Sequence, residues 1–458
     1  MSQPPPVGIR PTFSSLTGVD DLAAIEALTG TGFLVRTASN TWAVRSLAEG
    51  TGIDITDADA VAGNPTIAWS GSDISTPNIL VNGEFFAAQR GNRSSDTVVG
   101  NTTSGSAVVS SIASGNANVA VGMGISGTGI TAGTTVASID SATQITLSAN
   151  ATATNSSVSL ATCTYNNAFC GADRWLFLGQ SGRVLSGVGS TAGGYISVSG
   201  TGTGRSGIAQ WVESAVADKF GSRTMTFQCS AASGSGTPTI RCALLAWTGT
   251  ADTLSTARDP VNDWTSGTFT AGNFFKSTTM TVVATGSITG STTPQTLSCS
   301  GTLPASPKNL CAMVWIDSTS ISPIIGFCDL FPGSATRTFI VPNPADTVSR
   351  CERFYFKTFA MTQPPRPNIG AAGSNRFYTS YATGGYVTHF RERLHRVPAI
   401  TVYNTGDTQT GSFRNATAGS NLTAVAGTAT DHGVVIGSAA ATADNEYQFH
   451  LTADAEIQ

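Results

Sequence analysis

The sequence has little charge. Only 11% of its 458 residues are Asp, Glu, Lys or Arg, against about 25% in an average soluble protein. The net charge is −4 and the few lysines stand singly, so the chain lacks the basic patch of a nucleic-acid binder. Hydrophobic residues still make up 40% of the chain, whereas disordered chains combine low hydrophobicity with high net charge. These proportions argue against nucleic acid as a partner and favour a folded protein.

Long apolar runs and a targeting signal are also missing. No stretch approaches the roughly 18 consecutive apolar residues of a membrane span. The start, MSQPPPVGIRPTF, lacks the basic-then-apolar pattern of a signal peptide. We therefore expect a soluble protein that is neither inserted into a membrane nor exported by that route.

Patterns for metals, cofactors and disulfide scaffolds are absent as well. Eight cysteines in so long a chain contain no C-x-x-C pair, and we expect most to be buried. A disulfide such as Cys163–Cys170, formed late when the protein reaches an oxidising exterior, is left open as an alternative. Asp54, Asp57 and Asp59 come closest to a calcium loop and are interpreted as turn formers. The sequence predicts neither a metal nor a cofactor.

Glycine is abundant, with 50 residues, and Ser and Thr are frequent, so we expect mostly β structure. One short helix is predicted from a cap at Asp20–Asp21, because Leu22, Ile25 and Leu28 share one face. A hairpin follows about a Ser39–Asn40 turn. So small a segment buries little apolar surface alone, and trimerisation or a partner subunit would supply the missing burial.

Changes in composition divide the chain into three regions. Residues 1–72 form an N-terminal attachment and trimerisation region, residues 73–362 a β-sandwich host domain, and residues 363–458 a C-terminal β domain. A low-complexity block at 97–162 reads as a small inserted module of four to six strands. Strands are also expected at Asn78–Gly91 and within CERFYFKTF (351–359), and Ala453–Ile457 is expected to close the last sheet.

Several stretches resemble the tail fibres and receptor-binding proteins of tailed bacteriophages. They are DLAAIEALTGTGFLVRTASNTWAVRSLAEGTGIDIT, NILVNGEFFAAQRG continued by ADRWLF, GMGISGTGITAGTTVASIDSATQITLSANAT, and HFRERLHRVPAITVYN with YQFHLTADAEI. The resemblance implies an elongated homotrimer in the virion tail, made in the host cytoplasm. Its N-terminus would dock on the tail tip or baseplate, and its jelly-roll, carbohydrate-binding-like domains would meet the bacterial surface.

The expected function is thus adhesion to a host surface glycan, strengthened by several sites per trimer. A virion decoration fibre without a receptor role and a glycan-cleaving tail spike are the alternatives. No G-x-S-x-G elbow or H-E-x-x-H helix is present. Asp317, Asp329 and Glu352 are interpreted as structural or solvated, so no catalytic residue is assigned and we expect no enzyme.

Glycan binding needs flat aromatic faces and hydrogen-bonding side chains. Trp247 and Trp315 end apolar runs and are expected in the core. The candidates in loop-like sequence, for which binding and packing both stay open, are Trp264, Tyr378, Tyr381 and Tyr386.

The densest charge lies at Thr388–Val397. If this segment is a strand, one face carries His389, Arg391, Arg393 and His395. That face is either a solvated or inter-subunit ion-pair row, or a basic stripe for phosphate and carboxylate groups of a surface polysaccharide, since Arg presents a bidentate fork to anions. In the second case, replacing Arg391 and Arg393 by Ala weakens host adsorption.

Overall fold

The chain forms two units, residues 1–74 and 75–458. The computed structural model describes residues 20–49, 53–69, 76–90, 96–114, 119, 121–131, 134–141, 143–163, 168–180, 184–191, 195–201, 204–254, 258–361, 363–378, 384–407, 410–438 and 441–457. In these ranges strands greatly exceed helices, which confirms the mostly β fold class. None of the helices described is long and apolar enough to cross a membrane.

The first unit contains one helix and two hairpins. Its elements are α1 (Asp20–Glu26), β1 (Phe33–Ala38), β2 (Thr41–Arg45), β3 (Ile53–Thr56) and β4 (Thr66–Trp69). Strands β1 and β2 pair antiparallel around the predicted Ser39–Asn40 turn, where Asn40 has a φ of 55°. Asn tolerates this left-handed conformation, which tight hairpin turns require. The predicted helix and the first hairpin are therefore confirmed.

In the second unit, the low-complexity block forms a sheet of its own. The strands are β5 (Asp96–Thr102), β6 (Val108–Ser114), β7 (Gly124–Ser126), β8 (Val136–Ser141), β9 (Gln144–Leu147) and β10 (Asn155–Cys163), in the order β7–β10–β5–β6–β9–β8. Small β-branched and aliphatic side chains, such as Val98, Ile125 and Leu160, fill its core. Alternation of these residues with Gly and Ser explains why so charge-poor a stretch still folds.

The next strands build a β-sandwich. They are β11 (Ala168–Phe169), β12 (Leu176–Gly179), β13 (Val184–Thr191), β14 (Tyr195–Thr201), β15 (Ser206–Val212), β16 (Thr224–Ser233), β17 (Thr239–Trp247), β18 (Met280–Thr289), β19 (Gln295–Thr302), β20 (Asn309–Ile316) and β21 (Pro323–Pro332). A six-stranded antiparallel sheet has the order β11–β12–β15–β20–β17–β18, and a five-stranded one the order β13–β14–β21–β16–β19. Their inner faces share one core, to which Ile240 and Val314 contribute from the first sheet and Phe227 and Leu330 from the second.

The two sheets differ on their outer faces. The six-stranded sheet is covered on that side by a second core that contains Trp315, Phe274 and Phe275. Burial on both faces explains why β17 and β20 read as continuous apolar runs and confirms the expected burial of Trp247 and Trp315. In the five-stranded sheet, β16 and β19 instead alternate apolar and polar residues, which gives these strands a polar outer face.

A further group of strands follows helix α3 (Pro344–Glu352); a short helix, α2 (Ser214–Ala217), lies earlier in the chain. The strands are β22 (Tyr355–Lys357), β23 (Asn375–Tyr378), β24 (Gly384–His389), β25 (Ala399–Asn404), β26 (Ser412–Asn415), β27 (Ser420–Thr423), β28 (Val425–Ala426), β29 (Gly433–Ser438) and β30 (Glu446–Asp454). Strand β30 pairs with β22, β23, β25 and β26, while β24, β29 and β28 form a small second sheet. One aromatic-rich core, with Phe413, Tyr447 and Phe449, lies between them.

The predicted strand at Asn78–Gly91 is wrong, because residues 76–90 form an irregular loop. Asparagine side chains replace a β ladder there. Asn78 Oδ1 accepts hydrogen bonds from the backbone N of Leu80 and Leu330, both at 3.0 Å, and Asn82 Oδ1 accepts from Ala87 N at 2.9 Å. Both Asn82 and Phe85 have a φ of 58°, a left-handed conformation that interrupts a regular strand.

CERFYFKTF is also only partly a strand. Asn343 caps α3 by accepting from Ala345 N at 2.9 Å, with Pro344 in the first turn. That helix runs through Glu352 and only Tyr355–Lys357 is extended. At the other end, β30 stops at Asp454, so Ala453–Ile457 closes the sheet only in its first two residues.

The seven cysteines whose side chains are described are all buried. Most were expected in the interior, and burial raises the pKa of Cys311 and Cys351 well above its ordinary value. The Cys163 side chain lies outside the described residues, so a Cys163–Cys170 disulfide stays a prediction.

Candidate functional site

A cleft of about 490 Å³ lies on the outer face of the five-stranded sheet. We call it the sheet-face cleft; its walls are the sheet itself and residues 333–339, the strap, which follow β21. Met225, Phe227 and Cys229 of β16 point into the sandwich core. Alternation therefore turns Thr226, Gln228 and Ser230 outward.

Hydrogen bonds fix the strap onto the sheet. Gln228 Nε2 donates to the carbonyl of Arg337 at 2.7 Å, and Arg337 N donates back to Gln228 Oε1 at 3.0 Å. Thr226 Oγ1 donates to the carbonyl of Gly333 at 2.7 Å. The Arg337 guanidinium makes two hydrogen bonds with Asp329, of 2.7 and 2.9 Å, and lies 4.0 Å from the ring centre of Phe331. These contacts fix the strap to the sheet, so it forms a well-defined wall of the cleft.

An aromatic row crosses this otherwise polar face. The ring centres of Phe327 and Phe339 are 4.9 Å apart, and those of Phe327 and Tyr195 are 5.4 Å apart. The pairing of β16 with β21 shifts between Gln228 and Ser230, and Phe327 sits in this bulge with a φ of 46°. A bulge redirects a side chain, and a positive φ on a bulky residue is unusual enough to indicate a special role.

Glycine makes room for the row. A Cβ on Gly326 would lie 2.4 Å from Cδ1 of Tyr195, so only glycine lets the tyrosine ring pack flat against β21. The Tyr195 hydroxyl lies 3.2 Å from Ser230 Oγ. Half-buried Phe327 and Phe339 then border the cleft beside hydroxyl groups, which are supplied by Ser230, Thr296, Thr336 and Thr338.

The structure places the predicted aromatic residues elsewhere. Trp264 is half-buried and packs edge-on against Phe274, 5.6 Å away. Tyr386 is half-buried against Phe377 and Phe449. Tyr378 is 71% exposed, and its hydroxyl donates to Glu446 at 3.2 Å. Tyr381 lies outside the described residues. None of the three described residues lines the sheet-face cleft.

The charged segment Thr388–Val397 is not a strand beyond His389, where β24 ends. The chain folds back because Phe390 N donates to the carbonyl of His432 at 2.9 Å and His395 N donates to that of Arg353 at 2.7 Å. This brings Phe390 and Leu394 into the core. The expected common face of the four basic residues is therefore wrong.

The four basic residues have separate surroundings. His389 is exposed, Arg391 pairs with Glu352 at 2.9 Å, and Arg393 pairs with Asp431 at 2.6 Å. His395 is only 6% exposed and lies 2.8 Å from Glu213. Arg391 and Arg393 thus form salt bridges with two different acidic residues, while the His395 ring lies near Glu213 and, at 3.7 Å, Asp252.

The carboxylates considered for catalysis are each paired with arginine. Asp317 lies 2.5 Å from Arg241 and 3.5 Å from Arg205. Asp329 pairs with Arg337 at 2.7 Å. Glu352 pairs with Arg391 at 2.9 Å. These contacts agree with their interpretation as structural residues. Among the residues that the structure describes, no cluster of three or more His, Cys, Asp or Glu side chains could hold a metal ion.

The stretches QRG and ADRW supply a buried ionic cluster instead of a surface site. Arg90 lies 3.8 Å from Asp173, 3.4 Å from Asp454 and 3.3 Å from Glu456, and Arg174 also pairs with Glu456. These contacts tie the 76–90 loop to the C-terminal strand. Their role is to hold the fold together.

Comparison with known proteins gives only distant structural matches. No family model and no curated protein matches the chain. A solved structure titled "CBM4 structure and function" is 16% identical and covers 35% of this chain and 87% of its own, with a TM-score of 0.24. The enzymatically active domain of bacteriophage CBA120 tailspike protein 4 is 12% identical and covers 35% of this chain but 19% of its own, with a TM-score of 0.22.

A third match is the tandem CBM22-1–CBM22-2 domain of Paenibacillus barcinonensis Xyn10C. It is 9% identical and covers 62% of this chain and 86% of its own, with a TM-score of 0.22. TM-scores of this size do not establish a shared fold. The architecture of the sandwich therefore rests on its strand pairing and shared core.

Proposed function

We propose that the protein binds a glycan in the sheet-face cleft, without cleaving it. The observation that carries this proposal is the aromatic row on a polar sheet face. Aromatic rings stack on the C–H faces of sugars, while hydroxyl and amide groups bond their hydroxyls. Phe327 and Phe339 line a cleft of about 490 Å³ beside such groups, and Tyr195 packs against Phe327. This volume is typical of ligand sites.

The charge of the cleft favours a neutral glycan. Arg337 is the charged residue that lines it, and Asp329 neutralises that guanidinium through two hydrogen bonds. An acidic sugar would find no excess positive charge there. Hydrogen bonds to hydroxyls and stacking on the phenyl rings would then supply the affinity.

We further propose that this binding serves adhesion by a homotrimeric tail fibre of a bacteriophage virion. The resemblance of the sequence to such fibres supports this role. The N-terminal 72 residues would attach to the tail tip or baseplate, and three weak sites per trimer would combine into firm attachment to host polysaccharide. Sedimentation of the purified full-length chain tests the trimer.

Glycan binding is tested with the full-length chain on an array of bacterial surface polysaccharides. Phe339→Ala is expected to weaken glycan binding about tenfold. Stacking of a nucleic-acid base on an aromatic side chain contributes about 1–3 kcal/mol, and we expect a contribution in this range from a sugar stacked on Phe339. Phe86→Ala, which removes a 53% exposed phenyl ring outside the cleft, is the matched control and should bind normally. Equal affinity of both variants and the wild type would place the site elsewhere.

The same assay separates the alternative functions. Release of reducing sugar from a bound polysaccharide would indicate a glycan-cleaving tail spike and contradict binding alone. Absence of binding to every polysaccharide, with rebinding to virions, would favour a decoration fibre.

A further inference from the structure

Two adjoining cavities share Ile79, Val216 and Arg350. Neither has a lining residue in common with the sheet-face cleft. The smaller, of about 180 Å³, is lined by three arginines, Arg174, Arg350 and Arg353, and by one carboxylate, Glu213. We call it the guanidinium cavity. Arg174 pairs with Glu456 and Arg353 with Glu213, so Arg350 leaves an excess of one positive charge, unlike in the neutral sheet-face cleft.

Two of these arginines have hydrogen-bond donors to spare. Arg174 is 4% exposed; it pairs with Glu456 and donates to the carbonyl of Trp211 at 2.7 Å. Arg353 donates to Glu213 at 2.7 Å. The Nε atoms of both are buried without a hydrogen-bond partner among the described residues. Buried donors are normally paired, so these two indicate a missing acceptor.

Arg350 is held in place without a carboxylate. Its Nη2 donates to three successive backbone carbonyls, at 2.8, 3.3 and 3.0 Å, those of Asn78, Ile79 and Leu80. No carboxylate oxygen in the described part of the chain lies within 4.0 Å of it. Burial lowers the pKa of this guanidinium, as expected for a desolvated charge that lacks a close counter-ion. An incoming anion would supply that counter-ion.

The larger cavity, of about 630 Å³, adds an apolar surface. We call it the apolar cavity; Pro77, Phe220 and Pro342 line it together with Ile79 and Val216. Exposed Lys219 and exposed Asp346 also line it, and their opposite charges offset each other. A ligand that filled both cavities would therefore need an anionic end and an apolar body.

We propose that the two cavities bind a small amphipathic carboxylate. Its carboxylate would accept hydrogen bonds from Arg350 and from the Nε atoms of Arg174 and Arg353, since guanidinium groups match the planar geometry of a carboxylate. Its apolar body would lie against Val216, Phe220 and Pro342. This site is independent of glycan binding in the sheet-face cleft.

The test is calorimetric titration of the full-length chain with octanoate. Saturable binding is expected, at least about tenfold tighter than that of octan-1-ol, because the alcohol lacks the charge-assisted hydrogen bonds. Failure of octanoate to bind, or equal affinity for the alcohol, would overturn the proposal. Inorganic phosphate that binds as tightly as octanoate would also overturn it, since the apolar cavity would then contribute nothing.

Variants locate the site. Arg350→Gln should weaken octanoate binding at least about tenfold, and Arg376→Gln, a matched change at an exposed arginine paired with Glu446, should leave it unchanged. Because Arg350 also holds the 76–90 loop, Lys219→Glu provides a second variant that spares the interior; we expect it to weaken binding about threefold. Octanoate binding that survives Lys219→Glu and every folded Arg350 variant would overturn the proposal.

Discussion

Two arginine–aspartate pairs with nearly the same Nε–Oδ distance occupy contrasting regions of the molecule. In the sheet-face cleft, Arg337 Nε lies 2.7 Å from Asp329; beside the charged segment, Arg393 Nε lies 2.6 Å from Asp431. The first pair has side chains 3% and 1% exposed, and the second 73% and 27%. Burial, not the length of the contact, therefore decides how much the fold depends on each pair.

The two regions also differ in how they are assembled. The charged segment is contiguous in sequence, yet its basic residues have separate surroundings and share no common face. The cleft gathers side chains from β16, β19, β21 and the strap into one surface. A dense run of charge in a sequence is thus a weak indicator of a binding site, because neighbours in sequence need not share a face.

The largest expected effect comes from the same substitution in both pairs. Arg337→Met should lower the free energy of unfolding by about 3–5 kcal/mol, because it leaves the Asp329 carboxylate buried without a partner. Arg393→Met should leave the denaturation midpoint unchanged within error, since water solvates its partner. Guanidinium denaturation followed by tryptophan fluorescence measures both. Equal shifts for the two variants would show that burial does not separate the pairs.

The strands of the sandwich could be predicted where their pattern is local. TIRCALLAW forms β17 over its whole length, because a strand buried on both faces must be apolar throughout. The Asn78–Gly91 stretch also contains short apolar runs, but its path depends on hydrogen bonds to Cys328 and Leu330, about 250 positions away. Helix α3 was missed although Asn343 and Pro344 supply an ordinary helix start.

The cleft could not be predicted from the sequence in the same way. Phe327 faces outward only because β21 bulges against β16, and Phe339 meets it from a segment without regular structure. Neither the strand pairing nor the position of the strap is visible in a single sequence. The one local signal was Gly326 inside an apolar strand, since glycine there often marks a bulge or a close approach.

A medium effect is expected at the buried end of the charged segment. Glu213 accepts from His395 and Arg353. Burial alone would raise its pKa, but the His395 hydrogen bond and the nearby Arg353 charge bring the pKa below the ordinary value of 4.5. The ionised carboxylate therefore stabilises the fold above pH 4.5, and this contribution is lost as the pH falls through the lower, folded-state pKa.

Glu213→Gln should accordingly lower the free energy of unfolding by about 1.5–3 kcal/mol at pH 7, and by less as the pH falls below 4.5. Denaturation of wild type and variant across this range measures the difference. Glu446→Gln, at a carboxylate 3.5 Å from exposed Arg376, is the control and should cost less at pH 7. A loss for Glu213→Gln that stays constant down to pH 3 would contradict the assigned role.

The smallest effect is expected at the exposed end of the segment, and it decides between the two regions as glycan sites. Arg391 and Arg393 are 66% and 73% exposed, and each is already paired with a carboxylate. Their joint replacement by Ala should therefore change polysaccharide affinity less than about threefold, against the tenfold loss for Phe339→Ala. Array binding of the two variants at low and high salt measures the contrast. The opposite result would be a loss of polysaccharide affinity in the double variant, together with weaker binding by the wild type at high salt. In that case the basic segment recognises the glycan, as its charge suggested, and the aromatic row does not.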